Sequence, residues 1–226
     1  MDRAPDEDPP RRPSWRRRAP LAAIVALLLT GGLLLVLGTT RQQPAPPPAV
    51  AKGPPPTAAP HSSTPSTEPR TPPLPSSRPV SITIPSLKVT SDLEQLGLGK
   101  NRAMETPKDP AKAGWYRPGT TPGAIGPSVI AGHVTWDGVP AVFFKLTELE
   151  PGDRIDVSRA DGTTAVFTVD RTATYPKDDF PTVEVYRNLD HAGLRLITCG
   201  GDYSREDSRY ADNVVVYASL TGLGGR

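Results

Sequence analysis

The feature that most constrains this chain is a series of short β-type segments that begins near Pro79. Each segment is rich in Val, Ile, Thr or aromatic residues and ends at Gly, Pro or Asp, a pattern typical of strands separated by turns. The segments are residues 80–84, 88–90, 128–131, 154–157, 165–169, 194–198 and 214–217. Asp161-Gly162 lies between two of these segments and predicts a two-residue hairpin turn.

Helical patterns in the same region are few and short. Apolar residues at helical spacing predict one helix over residues 142–149, and a second short helix is expected over residues 182–188. Many short strands with little helix predict a mainly β fold, a closed or nearly closed β-barrel of about 140 residues.

The residues before the barrel begin with a basic tail and an apolar run. Residues 1–18 are polar and end in Arg16, Arg17 and Arg18, whereas residues 19–38 carry no charge. A run of about 20 apolar residues spans a bilayer as a helix, and arginines before it favour a cytoplasmic N-terminus. We therefore expect a single-pass anchor that places the barrel outside the cell. The competing interpretation is a cleavable signal peptide, but the run is long for one and no small-x-small cleavage site follows closely.

Residues 39–78 are dominated by Pro, Ala, Ser and Thr, and the whole chain contains 29 prolines. Such a segment cannot bury a core, so we expect a disordered spacer that reaches on the order of 100 Å when extended. The barrel is expected over residues 79–221, and residues 222–226 are expected to be a flexible C-terminus.

Composition excludes several classes of protein. The formal net charge is only +2, which argues against a nucleic-acid partner. The chain has one cysteine, so it forms no intramolecular disulfide, no zinc finger and no dithiol redox motif. The sequence indicates no metal and no cofactor, and we expect a monomer.

The single cysteine, Cys199, ends a strand-like segment and is followed by two glycines. It is either a small buried residue or a nucleophile, and a nucleophile needs an imidazole or a cation near its thiolate. His61 lies in the spacer, and His191 lies at the opposite end of the strand, about 25 Å away when extended. His133, directly after another strand-like segment, is the remaining candidate partner.

Acyl transfer by a cysteine also needs a donor for the oxyanion of the tetrahedral intermediate. The chain has two arginines shortly after the cysteine, Arg205 in a polar loop and Arg209 directly before the last strand. Spacing alone does not separate these two candidates.

Three segments resemble the sortases, the cysteine transpeptidases of Gram-positive cell surfaces. Leu-Ile-Thr-Cys at residues 196–199 resembles their cysteine box, with Leu-Ile where the family often has Thr-Leu. Ala131-Gly132-His133 resembles their histidine segment, and Arg209 resembles their arginine position. Thr-Cys-Gly-Gly followed by Tyr-Ala-Asp-Asn-Val-Val-Val-Tyr-Ala is most similar to the class F sortases of actinobacteria. The resemblance covers about residues 79–221.

The resemblance implies an eight-stranded sortase β-barrel and cleavage of a Leu-Pro-x-Thr-Gly sorting signal between Thr and Gly. Cys199 would form a thioacyl enzyme with surface-protein substrates, and an amine of the peptidoglycan precursor would resolve it. His133 would be the acid–base, and Arg209 would hold the oxyanion or the substrate backbone, with Arg205 as the alternative. The residues expected to support them are Thr198, Ala131, Gly132 and Asn213.

Three other interpretations stay open. An L,D-transpeptidase also uses Cys, His and Arg, but its signature places His-Gly just before the cysteine, where this chain has Ile-Thr. A tethered envelope-binding barrel would use Cys199 only as a core residue. An inactive sortase-like scaffold would keep the fold without the reaction.

Overall fold

The computed structural model describes residues 71–100 and 102–224. The expected basic tail, the expected anchor over residues 19–38 and most of the spacer lie outside the described residues, as do the last two residues of the chain. Within the described ranges, no helix has both the length and the apolar character needed to cross a membrane.

Eight strands close into a barrel. They are β1 (Pro79–Ile84), β2 (Val89–Leu96), β3 (Ala113–Tyr116), β4 (Gly126–Ala131), β7 (Arg154–Arg159), β8 (Thr164–Pro176), β9 (Ala192–Ser204) and β10 (Arg209–Gly224). Their order around the barrel is β1-β2-β3-β4-β9-β10-β8-β7. A separate two-stranded sheet consists of β5 (Thr135–Trp136) and β6 (Val139–Pro140). The predicted mainly β fold and its eight-stranded barrel are confirmed.

The hairpin predicted at Asp161-Gly162 joins β7 to β8. Its loop spans residues 160–163 and is therefore longer than a two-residue turn. The amide of Gly162 donates to the carbonyl of Arg159 over 3.0 Å, and Gly162 has a φ of 80°. Only glycine adopts this left-handed conformation at little cost, which is why the turn forms here.

Alternating side chains of the strands fill the barrel interior. On β8, for example, Ala165, Phe167 and Val169 are buried while the residues between them are partly exposed. The largest fully buried side chains of this interior are Ile82, Ile84, Ile130, Phe143, Leu146, Ile155, Phe167, Leu194 and Leu196. Truncation of a buried Phe to Ala costs about 3–5 kcal/mol, so these residues hold the barrel closed.

A second apolar cluster lies on the outer face of the barrel. It contains Val129 of β4, Ile197 of β9, and Val215 and Tyr217 of β10. The short helix α1 (Thr182–Tyr186) covers it through Val185, which is fully buried. The helix expected over residues 182–188 is thus present but shorter. This cluster fixes the segment between β8 and β9 against the barrel.

The helix expected over residues 142–149 is wrong in type. The amides of Phe144 and Leu146 donate to carbonyls three residues back, and only Leu146–Glu148 forms a 3-10 helix. Residues three apart eclipse each other in such turns, so Phe143 and Leu146 both reach the core. The regular spacing of apolar residues in this segment therefore arises from consecutive 3-10 turns that pack on the barrel and not from an α-helix.

Candidate active site

The end of β4 lies beside the middle of β9, and this brings the backbones of the predicted histidine and cysteine side by side. These strands are parallel neighbours, with Ala131 in register with Ile197. His133 and Cys199 each lie two residues beyond this pair. Because neighbouring strands are about 4.8 Å apart, the register sets their backbones side by side.

Two hydrogen bonds extend this pairing beyond Ala131, which is buried as the last residue of β4. The amide of Gly132 donates to the carbonyl of Ile197 over 3.1 Å. The buried hydroxyl of Thr198 donates to the carbonyl of Gly132 over 2.8 Å. Thr198 therefore links the residue before His133 to the residue before Cys199, and its proton is already engaged there.

Gly132 is required for the close approach of this segment to the core. A Cβ at this position would lie 2.6 Å from Cδ2 of Phe143 and 2.8 Å from Cγ1 of Val142. Real Cβ contacts are not this short, so any larger residue would displace either the core or the histidine segment.

The imidazole of His133 is half-buried and held from two sides. Its Nε2 lies 2.8 Å from the carbonyl oxygen of Pro107, and its ring meets that of Trp136 edge-on at 5.0 Å between centroids. A carbonyl only accepts hydrogen bonds, so Nε2 carries a proton in this arrangement. Nδ1 is therefore the nitrogen of His133 that can take up and release a proton.

Cys199 lies on the outer face of the barrel and is partly exposed. Asn213 of β10 stands directly opposite it, and Tyr175 of β8 stands opposite Asn213. Directly opposed residues share a face of the sheet, so the three side chains form one row. The ammonium of Lys177, two residues beyond Tyr175, lies 3.6 Å from Sγ of Cys199.

The two candidate arginines lie at the end of the β9–β10 hairpin. Arg209 pairs with Ser204, five residues beyond Cys199, which is up to about 16 Å along the strand. Its guanidinium is exposed and lies 4.0 Å from a carboxylate oxygen of Asp178. Arg205 is exposed in the connecting turn. The structure thus places Lys177, a residue that the sequence analysis missed, against the sulfur.

A bulge adjusts the hairpin next to the cysteine. The register of β9 and β10 shifts between Tyr210 and Asp212, and Gly201 has a φ of 72°. A Cβ on Gly201 would lie 2.3 Å from the carboxylate of Asp212, so this close approach also needs glycine. Gly201 therefore shapes the strand beyond the thiol.

The segment that carries Lys177 is fixed by aromatic and charged side chains. The hydroxyls of Tyr175 and Tyr217 lie 3.1 Å apart, and the ring of Phe180 meets that of Tyr175 edge-on at 6.0 Å. The guanidinium of Arg171 lies over the ring of Tyr217, 3.6 Å from its centroid. Burial raises the pKa of Tyr217 above its ordinary value, and the hydrogen bond with Tyr175 raises it further. The phenol therefore stays a neutral hydrogen-bonding group near neutral pH.

A groove of about 560 Å³ is lined by Val89, Pro110, Trp136, Val139 and Val142, among others. Cys199 does not line it. Within the described ranges, no cluster of three or more His, Cys, Asp or Glu side chains is arranged to hold a metal ion.

Comparison with known proteins agrees with the fold. The sortase domain model matches residues 82–221. Sortase A from Corynebacterium diphtheriae is 21% identical, with a TM-score of 0.51 over 66% of this chain and 64% of that one. The SrtA sortase from Actinomyces oris is 21% identical, with a TM-score of 0.50 over 70% of this chain and 93% of that one. No curated protein matches the chain. The match of the domain model over most of the chain shows that this protein belongs to the sortase family.

Proposed function

We propose that this sortase is a membrane-anchored, extracellular cysteine transpeptidase. It cleaves a Leu-Pro-x-Thr-Gly sorting signal between Thr and Gly and transfers the acyl part to an amine of the peptidoglycan precursor. The observation that supports the proposal is the pairing of β4 with β9, extended by the hydrogen bond from Thr198 to Gly132, which brings the backbones of His133 and Cys199 side by side. Acyl transfer by a cysteine requires a nucleophile and an acid–base on neighbouring segments of this kind.

In the first half-reaction, the Cys199 thiol gives its proton to Nδ1 of His133, and the sulfur attacks the Thr carbonyl carbon. The tetrahedral intermediate collapses as the carbon–nitrogen bond breaks. His133 returns the proton to the departing Gly amine, which leaves a thioester on Cys199. The hydrogen bond from Nε2 to Pro107 keeps the ring oriented for both transfers.

In the second half-reaction, an amine attacks the thioester carbonyl. His133 accepts the proton of the attacking amine through Nδ1, and the thiolate of Cys199 leaves. A new amide is formed, and the thiol is regenerated when His133 returns the proton to the sulfur. The two half-reactions therefore need only the peptide and the amine. Arg209 is assigned to the oxyanion or the substrate backbone, with Arg205 as the alternative.

The finer assignments rest on sequence. Residues 198–201 and 210–218 support class F, and the charge-free run over residues 19–38 after a basic tail supports a single-pass anchor with the barrel outside the cell. The Pro-rich spacer over residues 39–78 would let the barrel reach surface proteins and wall precursors away from the bilayer.

The experiment uses the full chain in detergent with a Leu-Pro-x-Thr-Gly peptide and triglycine as the amine. Intact-mass spectrometry should detect an acyl adduct on Cys199, and the peptide should be joined to triglycine at Thr. Cys199→Ala should lose both, and a peptide of the same composition in scrambled order should not react. Equal cleavage by Cys199→Ala would contradict the mechanism. No cleavage by the wild type would favour an inactive scaffold or a binding domain.

A further inference from the structure

We infer that Lys177 is a catalytic residue of this enzyme, the cation that stabilises the thiolate of Cys199 in both half-reactions. The inference rests on the proposed cysteine chemistry and adds a residue that none of the three resembling segments contains. Its basis is the distance of 3.6 Å between Nζ of Lys177 and Sγ of Cys199.

The position of Lys177 follows from strand register. Cys199 is opposite Asn213, and Asn213 is opposite Tyr175, so β8, β10 and β9 present one row of side chains. Side chains alternate along a strand, so the direction of Tyr175 is repeated two residues later. Pro176 ends β8, and Lys177 opens a 3-10 turn that lets its side chain reach back across the row.

The turn itself is anchored. The ring of Phe180 packs edge-on against that of Tyr175, with 6.0 Å between centroids. It also packs against the ring of Tyr186 in a tilted arrangement, with 6.4 Å between centroids. The guanidinium of Arg171 on β8 contacts the carboxylate of Glu184 on α1 over 2.5 Å. These contacts hold both ends of the segment from Lys177 to α1, so the ammonium is kept near the sulfur at little further entropic cost.

The charge of Lys177 is not taken up by an acid. Of the ion pairs within 4.0 Å between described residues, none includes Lys177, and its neighbour Asp178 is directed to Arg209. The other charged or titratable groups that sequence, register or an ion pair places near Lys177 and Cys199 are Tyr175, Asp178, Asp179, Arg209, Asp212 and His133. The ammonium, half-buried and free of a carboxylate, is thus the cation available to the sulfur.

A cation at this distance acts where the sulfur is negative. It favours the thiolate before attack on the sorting signal, and again when the thiolate leaves in the second half-reaction. Lys177 keeps its proton throughout, and proton transfer stays with His133. This role does not involve Arg209, which lies farther along the hairpin and keeps its proposed role in contacting the substrate.

The test uses the full chain, in which Cys199 is the single cysteine, so alkylation reports on this thiol alone. Iodoacetamide is uncharged and is not steered by the ammonium. Lys177→Met removes the charge and keeps an apolar stem, Lys177→Arg keeps the charge, and Lys145→Met is the control, since Lys145 is exposed and pairs with Glu148. Alkylation rates are measured across pH 5–10, together with kcat and KM for transfer of a Leu-Pro-x-Thr-Gly peptide to triglycine.

We expect Lys177→Met to slow alkylation at pH 7 by on the order of 10- to 100-fold, the range of a hydrogen bond to a charged group. Its pH profile should move to higher pH and its kcat should fall by a similar factor, whereas Lys177→Arg should keep most of the wild-type rate. Alkylation of Lys177→Met at the wild-type rate, with an unchanged profile, overturns the inference. If Lys177→Met fails to fold, Lys177→Gln carries the same comparison. A wild type that transfers no peptide contradicts the proposed function alone, because alkylation still tests Lys177.

Discussion

The hydroxyl of Thr198 donates a 2.8 Å hydrogen bond to the carbonyl of Gly132, so the residue before the cysteine holds the residue before the histidine. This bond lies just past the last paired residue of β4, where the parallel ladder with β9 has ended. It keeps the histidine segment next to β9 although the strand has stopped. The hydroxyl of Thr198 therefore helps to fix the geometry of the candidate site.

Thr198→Val keeps the shape of the side chain and removes this bond. The carbonyl of Gly132 is partly buried, and the loss of its hydrogen bond should cost about 1 kcal/mol. A loosened histidine should also lower kcat by on the order of 10-fold. Urea unfolding and peptide-transfer kinetics measure the two effects. Thr198→Ser keeps the donor and should keep most of kcat; equal losses in both variants would contradict the role of the bond.

Gly132→Ala should disturb the same segment by a steric route. Its Cβ would meet the ring of Phe143 at 2.6 Å, and overpacking of this kind costs about 1–3 kcal/mol. The matched control is Gly222→Ala, where a Cβ meets nothing within 4 Å. Calorimetry should give a lower Tm and lower activity for Gly132→Ala only. Equal Tm values and activities of the two variants would mean that the histidine segment accommodates the added methyl group without a loss of stability.

Trp136 is 47% exposed, so its ring contributes little to the core, yet it meets the imidazole of His133 edge-on. Such ring pairs are worth about 0.5–1.5 kcal/mol. Trp136→Ala should therefore lower kcat by about 3- to 10-fold while alkylation of Cys199 is unchanged, and Trp136→Phe should restore most of the loss. An unchanged kcat in Trp136→Ala would show that the hydrogen bond to Pro107 is sufficient by itself to orient the imidazole of His133.

The barrel could be predicted from the sequence because it depends on local signals. Alternating β-branched runs and a glycine at a left-handed turn appear within a few residues, as at Gly162. The conformation of residues 142–149 could not be predicted in this way, because α-helices and successive 3-10 turns both place apolar residues three positions apart. Packing on the barrel, which is not local, decided between them.

The candidate site, too, could be predicted from the sequence only in part. Cys199 and His133 follow apolar strand-like runs and are visible in the sequence, but Lys177 lies in a charged turn without a motif. Its contact with the sulfur requires β10 to pair with both β8 and β9, and such long-range pairing cannot be read from spacing. Spacing likewise did not separate Arg205 from Arg209. It was the resemblance to the family that favoured Arg209, whose guanidinium lies beside Asp178.

The buried phenol of Tyr217 predicts a loss of stability at alkaline pH. Burial and the hydrogen bond with Tyr175 raise its pKa, so the unfolded chain releases this proton first. Its contribution to stability is intact below about pH 10 and falls as the pH rises through the folded pKa. Urea midpoints measured between pH 8 and pH 11 should fall less steeply above pH 10 in Tyr217→Phe, although this variant loses about 1 kcal/mol at pH 8. Parallel curves for the two proteins would contradict this assignment.

Arg209 and Arg205 can be separated by measuring two reactions of the same thiol. If Arg209 contacts the substrate, Arg209→Ala should lower kcat/KM for peptide transfer by about 10²-fold, the loss typical of an oxyanion donor. Its alkylation by iodoacetamide should stay at the wild-type rate, because its guanidinium lies beside Asp178 and not against the sulfur. Arg205→Ala should change neither reaction appreciably, since Arg205 is exposed in the turn. A large loss of transfer in Arg205→Ala alone would exchange the two roles. A loss of alkylation in Arg209→Ala would instead make Arg209 a second cation for the thiolate.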